Sequence, residues 1–440
     1  MTAHEPATTL WDLVELDLEP LEPDDPRVVD TSAARGDFSR AGILRQLGVD
    51  PRARTIHKAP RRCYALLSGH RGCGKSTELR RLARDLHSPG GYWVVFVDAL
   101  ETLDPNNLQY PDVFLALAGE LVRGLQEREL EIDDVHFERL EQWFSSRIES
   151  HTKTKELTAE IKAGAKVEAG LPWLGKLFAA CTNAFRTNST YKTELRKVVQ
   201  NSFSEFAQAF DLFIKAAEDA LARGSFHGRV LFVVDGLDRL GTEDAQRFFV
   251  TDVHQLQQVD GVFLYVAPIH MLYSSNAVNQ AFETFKLPMI KLAEKGSDKR
   301  IEAAYSALRA VVHRRASAEL FDGHDVVDEL ITASGGHPRD LIRLLKYAYQ
   351  NASGETIGHD AVTAAIGSLA SDYKRMLHAS DYAVLRSIDA APCREEPSDE
   401  RVHELLHNLV VLEYNDYWWQ THPVVRTLPG YAASNESMGG

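Results

Sequence analysis

The sequence predicts an α/β fold built on a doubly wound parallel sheet, and three observations carry that prediction. Five short apolar runs, rich in β-branched and aromatic residues, read as buried strands. Helix-like stretches separate them, which is the alternation that parallel strands with crossover helices require. One run passes through a glycine-rich turn directly into a helical pattern, in the stretch SGHRGCGKSTELRRL at 68–82.

In chain order, residues 1–50 form an acidic arm expected to be partly disordered. Its positions 1–30 hold nine Asp and Glu against one Arg, a poor composition for a core. Residues 35–62 reverse the sign, with eight Lys and Arg against two Asp, and are expected to be solvated or paired with the arm. The sheet region, 51–300, takes its strands from 63–68, 92–100 (YWVVFVDAL), 229–240 (RVLFVVDGLDRL), 261–270 (GVFLYVAPIH) and 285–292 (FKLPMIKL). An all-helical insertion occupies 105–225; its apolar segment LPWLGKLFAACTNAF at 171–185 is expected to fold back on its own domain rather than lie on a membrane. A helical lid is expected over 301–370. Residues 371–432 read as a winged helix, with Ser-capped helices in SDYAVLRSI and SDERVHELLHNLVVLEY and a hairpin turning at Asn415-Asp416 that HPVVRTL closes. Trp418 and Trp419 fit the hairpin's packed face.

Composition narrows the class. The chain has 440 residues, 44% hydrophobic and 25% charged, which suits two or three soluble domains. No run approaches the ~18 apolar residues of a membrane span, and the acidic start lacks a secretory pattern, so a cytoplasmic location is expected. Cys63, Cys73, Cys181 and Cys393 lie far apart, without the paired spacing of a disulfide framework or zinc site. The net charge of −14, with no basic helix face in 371–430, disfavours nucleic acid.

The glycine-rich turn carries the chemistry. It fits G-x-x-x-x-G-K-[ST] at Gly69, Gly74, Lys75 and Ser76. Glycines at 69, 72 and 74 let the backbone close around phosphate oxygens, and the helix that follows adds the positive end of its dipole. Gly69, His70, Arg71, Gly72, Cys73, Gly74, Lys75, Ser76 and Thr77 are therefore the candidate ATP-binding residues, with Lys75 on the β- and γ-phosphates and the Ser76 hydroxyl on Mg²⁺. Two strands end in Asp. Asp235 opens DGLDRL and is assigned to Mg²⁺ with Ser76, Asp238 to the attacking water or to the ion's outer shell, and Asp98 to a strand-end turn.

The combination of GHRGCGKS, LFVVDGLDRL and the later SGGHPRDLIRLL resembles the STAND and AAA+ branches of P-loop ATPases, including NACHT- and KAP-like bacterial relatives. The resemblance spans roughly 60–430. It implies a P-loop NTPase sheet of order 5-1-4-3-2, a helical lid and a winged helix. It also places Arg339 as a sensor of the γ-phosphate, so Lys75, Asp238 and Arg339 are the expected catalytic set. Gly236 stands where AAA+ chains carry Glu, and Arg239 where the NACHT group has an acid. The implied function is an ATP-hydrolysing switch, a homo-oligomer that acts on a separate partner protein, by analogy in antiviral defence. The other reading is a DNA-binding AAA+ ATPase of origin-recognition or transposition-regulator type. His270 is expected to be an ordinary loop histidine.

Overall fold

The computed structural model describes residues 5–432 except 36–37, 105–106, 131, 133–138, 140–141, 144–145, 147–170, 188, 225, 227, 275, 295, 298, 391–399 and 415–417. Five parallel strands form the central sheet: β1 Cys63–Gly69, β2 Trp93–Asp98, β3 Val230–Asp235, β4 Val262–Pro268 and β5 Glu283–Lys286, in the order β2-β3-β4-β1-β5. This is the expected 5-1-4-3-2 arrangement. The three central strands are buried along their whole length, as continuous apolar runs in a doubly covered parallel sheet must be. Register aligns Asp98 with Asp235 and Gly69 with Pro268, which gathers the phosphate turn and both strand-end acids at one rim of the sheet.

The strand limits shift from those expected, most of all at β5, β3 and β2. The run 285–292 is a strand only over Glu283–Lys286, because Pro288 has no N–H to donate and the chain leaves the sheet there. β3 stops at Asp235 because Gly236 turns the chain at φ +83, with Leu100 2.9 Å from the place a Cβ would take. β2 stops at Asp98, whose carboxylate accepts from Leu100 N and caps the one-turn helix Ala99–Thr102.

Helix α1 is Arg40–Gln46, and α2, Lys75–Leu86, leaves the phosphate turn. The described helices of the insertion are α3 Tyr110–Glu127, α4 Leu171–Thr187, α5 Ser189–Asn201 and α6 Phe203–Arg223. Their inner faces bring Phe114, Phe203 and Phe210 onto Phe232 and Phe263 of the sheet. Trp173, Leu174, Leu177 and Phe178 of α4 are buried in the same cluster, so these apolar residues of the segment face their own core. No helix among the described residues is long and apolar enough to cross a membrane.

A second core gathers α7 Glu302–His313, α8 His324–Ser334, α9 Pro338–Asn351 and α10 His359–Lys374 with α11 Asp381–Ala390 and α12 Glu400–His407. Strands β6 Val411–Glu413 and β7 Trp419–Thr421 pair antiparallel; the predicted turn at 415–416 lies outside the described residues. HPVVRTL, expected to close the hairpin, forms instead the short helix α13 Pro423–Arg426, with His422 as its cap and Pro at the first position, where a missing N–H costs nothing.

The acidic arm lies across both cores. Ala7 bridges to Ala316, Leu13 is buried beside the α7–α9 core, and Arg314 donates to the Pro26 carbonyl at 3.1 Å. Farther along, Glu22 pairs with Arg80, Asp24 with Arg84 and Asp30 with Arg81, all on α2. The basic stretch that follows finds acids elsewhere: Arg40 binds Glu78 and Asp85, Arg54 binds Asp85, and Arg61 and Arg62 bind Asp260.

Candidate functional site

At the rim where β1 and β3 end, the turn from Gly69 to Lys75 bounds a cavity of about 500 Å³, within the range of small-molecule sites. Two of its glycines are dictated by geometry. Gly72 (φ +87) and Gly74 (φ +103) adopt left-handed backbone, and a Cβ on Gly72 would lie 2.8 Å from the Cβ of Arg339. Gly74 caps α2, so the first N–H groups of that helix open toward the turn.

Lys75 is buried. Its ammonium donates to the carbonyls of Gly69 (2.9 Å) and His70 (2.8 Å) and pairs with Asp238 Oδ2 at 2.7 Å. Burial would raise the Asp238 carboxyl, but the charge and hydrogen bond of Lys75 outweigh it and hold the acid below its ordinary value. Asp235, one strand end away, behaves oppositely: burial, then the neighbouring Asp238 charge, pushes it up to about 6, although Ser76 and the Gly236 N–H bond its charged form. Ser76 and Asp235 thus line the same cavity, with Ser76 favouring the charged carboxylate. Asp98 lines the cavity too, yet its carboxylate is held by Leu100 N and by Arg80.

The remaining turn residues divide by direction. Arg71, Gly72, Cys73, Gly74, Ser76 and Thr77 line the cavity, but the Cys73 thiol is buried against the Leu287 carbonyl, so what Cys73 offers a ligand is backbone. Thr77 Oγ1 accepts from Leu21 N of the arm at 3.3 Å. His70 turns away from the cavity: its Nε2 accepts from Glu413 N at 2.7 Å, and burial, then the charges of His337 and Lys75, keep the ring neutral with a pKa well below the usual value.

Arg339, at the first turn of α9, reaches the cavity across Gly72. Burial, then the charges of Arg239 and Arg71, lower its pKa, so three guanidiniums crowd one wall beside Asp238. His337, the N-cap two residues before it, donates from Nε2 to the Arg71 carbonyl at 2.9 Å while its Nδ1 caps α9. Asp340 beside them is buried and accepts from Arg343 (2.9 Å) and Tyr373 OH (2.5 Å), with His422 Nε2 at 3.2 Å. His270 lies behind the turn, ring against ring with His407, and burial followed by the His407 charge lowers it to about 4.

Three features of the site escape the sequence motifs. Arg35 of the arm reaches under the turn to the Cys73 carbonyl. The arm residues Val28 and Val29 line the cavity wall. Glu413, buried in β6, holds Lys286 at the end of β5 together with the Tyr273 hydroxyl. None carries a local signature, since each is brought in from a different element.

The residues present fit a magnesium nucleotide. The turn has backbone donors and the space its glycines leave, Lys75 and Arg339 supply cations, and the Ser76 hydroxyl with the Asp235 carboxylate forms an oxygen pair of the kind Mg²⁺ takes alongside phosphate oxygens. No family model matches the chain, and no curated protein matches it. Among solved structures it is similar to the RuvB Holliday junction branch migration motor of Thermotoga maritima, at 13% identity and a TM-score of 0.34, covering 87% of this chain and 92% of that one. It is similar also to Cdc6p from Pyrobaculum aerophilum, at 12% identity and a TM-score of 0.36, covering 93% of this chain and 99% of that one. At 13% identity no residue role is carried across, and the chemistry of the site rests on its own geometry.

Proposed function

We propose that the chain binds ATP with Mg²⁺ in this cavity, hydrolyses it, and works as a switch of the STAND/AAA+ type that controls assembly with further copies of itself and with a separate partner protein. The observation that carries this reading is that the phosphate turn touches every moving part the switch needs. Through the Arg71 carbonyl it holds His337 of the α7–α10 lid, and through His70 it holds the backbone of Glu413 in the C-terminal unit, the proposed winged helix of 371–432. A change in the turn's shape on phosphate binding therefore alters two buried contacts at once, and a ligand shifts an equilibrium only through such differential contacts.

The roles follow from position. Backbone N–H groups of 72–77 and the Lys75 ammonium hold the β- and γ-phosphates. Ser76 and Asp235 would hold Mg²⁺, which would supply neutralisation of phosphate charge. Asp238 accepts the proton of the attacking water once the γ-phosphate competes for Lys75, and Arg339 reports the γ-phosphate to the lid. A place in antiviral defence follows from the family resemblance alone.

Lys75→Ala is the direct test. Saturating Mg²⁺-ATP at ~100 times its dissociation constant stabilises by about 2.7 kcal/mol, so the wild-type melting temperature rises with ATP and that of the variant stays put. An equal rise in both places the nucleotide elsewhere. ATP-dependent retention of duplex DNA by the wild type would favour the origin-recognition type over the switch.

A further inference from the structure

Arg35 stands where the arm meets the phosphate turn, and the roles above leave it unused. Its guanidinium is buried and donates to three neutral acceptors: Thr31 Oγ1 at 2.9 Å, the Pro288 carbonyl at 2.6 Å and the Cys73 carbonyl at 2.5 Å. No carboxylate is among these partners. The acids that act on it through space, Glu78 and Asp30, are engaged by other arginines: Glu78 by Arg40 and Arg81, Asp30 by Arg81. Among the described residues its direct partners are carbonyl and hydroxyl dipoles alone, and a buried cation so held carries a large desolvation penalty. The same guanidinium lines the cavity, with Nη2 3.4 Å from the position of a Cβ on Gly74, the residue before Lys75.

We propose that Arg35 is a second phosphate-directed cation of the cradle, supplied by the arm, so that a bound polyphosphate and the arm hold one another in place. The proposal rests on the nucleotide site proposed above and names a residue outside its motifs. The arm is built for such a grip. Its Leu21 N–H is fixed to Thr77 Oγ1, its acids are laddered along α2 through Arg80, Arg81 and Arg84, and its other end is fastened to Ala316 beyond α7. Arg35 adds the contact of this strap with the backbone of the turn, at the Cys73 carbonyl. A phosphate would give this guanidinium the direct anionic partner that it lacks among the described residues, and would add one more fastening to the strap.

The test uses the full chain with Arg35→Gln, which keeps an amide donor for the carbonyls but removes the charge, and with Arg35→Lys, which restores a charge. Calorimetry with ADP and with inorganic pyrophosphate should show roughly ten- to hundredfold weaker binding of both by Arg35→Gln, the range for hydrogen bonds to charged groups, and recovery of most of it in Arg35→Lys. Amide exchange over 18–30 should be slowed by ADP in wild type and Arg35→Lys but not in Arg35→Gln. Without ligand, Arg35→Gln should melt at or above the wild type, because the uncompensated charge is gone. A purely structural clamp predicts the reverse: a lower melting temperature with unaltered ADP and pyrophosphate affinities, and that result overturns the proposal. Loss of ADP binding with pyrophosphate binding intact also overturns it, since the effect would then lie on the nucleoside. If the wild type binds neither ligand, the nucleotide site itself fails; if the wild type binds and Arg35→Gln binds equally, only the role of Arg35 fails.

Discussion

Asp238→Asn should make the nucleotide-free protein less stable and its ADP complex tighter. The reason is the pairing of Asp238 with Lys75 at 2.7 Å, where the side chains are 12% and 3% exposed. At an effective dielectric near 20, two unit charges at that distance attract by about 6 kcal/mol before desolvation is charged against them. What the variant loses is smaller: breaking a buried pair from one side leaves the other charge uncompensated, at about 3–5 kcal/mol. Lys75 keeps the Gly69 and His70 carbonyls, so the low end, about 3 kcal/mol, applies. A phosphate restores the compensation. If all of it returns on binding, ADP affinity rises by about a hundredfold, at 1.4 kcal/mol per factor of ten. Turnover moves the other way, falling roughly 10²- to 10⁴-fold if Asp238 takes the proton of the attacking water. Scanning calorimetry with and without ADP, titration calorimetry and phosphate release measure the three effects separately. A nucleotide-free variant that melts with the wild type and binds ADP no more tightly refutes the argument, because the pair would then contribute nothing for a phosphate to replace.

Asp235, raised to about 6, must be ionised to hold Mg²⁺, so the Mg²⁺ enhancement of ATP affinity should fade as pH drops through 6; Asp235→Asn should show neither the enhancement nor its pH dependence in Mg²⁺ titrations. Gly336→Ala should lower stability by roughly 2 kcal/mol or more, since Gly336 has φ +79 and a Cβ there would meet the Ile290 carbonyl at 2.0 Å; an unchanged melting temperature would show that the backbone yields freely at this joint. His270 is depressed from 6.5 to about 4 by burial and by His407, so the unfolded chain binds its proton first; the stability is fully present above 6.5 and on the order of 3 kcal/mol is lost as pH falls toward 4. His270→Phe should flatten that acid limb in denaturation followed across pH.

The phosphate turn, its strand and its helix were legible because their signal is local: glycines at the positions that need left-handed backbone, then a Lys and Ser at the head of α2. Asp235 was legible for the same reason, as the end of a buried strand followed by a turn-forming Gly. Arg339 was placed by SGGHPR, a stop and restart of helices that sets the first turn of α9 against Gly72. What a chain scan misses is pairing at long range. The His70 bond to Glu413 joins residues 343 apart, and that of Arg35 to Pro288 joins residues 253 apart. No periodicity marks either. Two errors had local remedies: Pro288 limits β5, and a His-Pro pair with the Pro at a first helical position announces α13 rather than a closing strand.

The arm's two-ended fastening also orders the assembly of the molecule in time. Its Pro26 carbonyl is met by Arg314, 288 residues later in the chain, so during synthesis the arm waits for α7 before its far anchor exists. Closing so long a loop is slow relative to the local contacts of the sheet. A nascent chain halted before α7 therefore has its phosphate turn but lacks the arm's anchor at that helix. The same holds for a fragment cut to 51–300, which keeps every motif residue up to Asp238 while losing both Arg35 and Arg339, and for a fusion whose bulk at the amino terminus keeps Ala7 from Ala316.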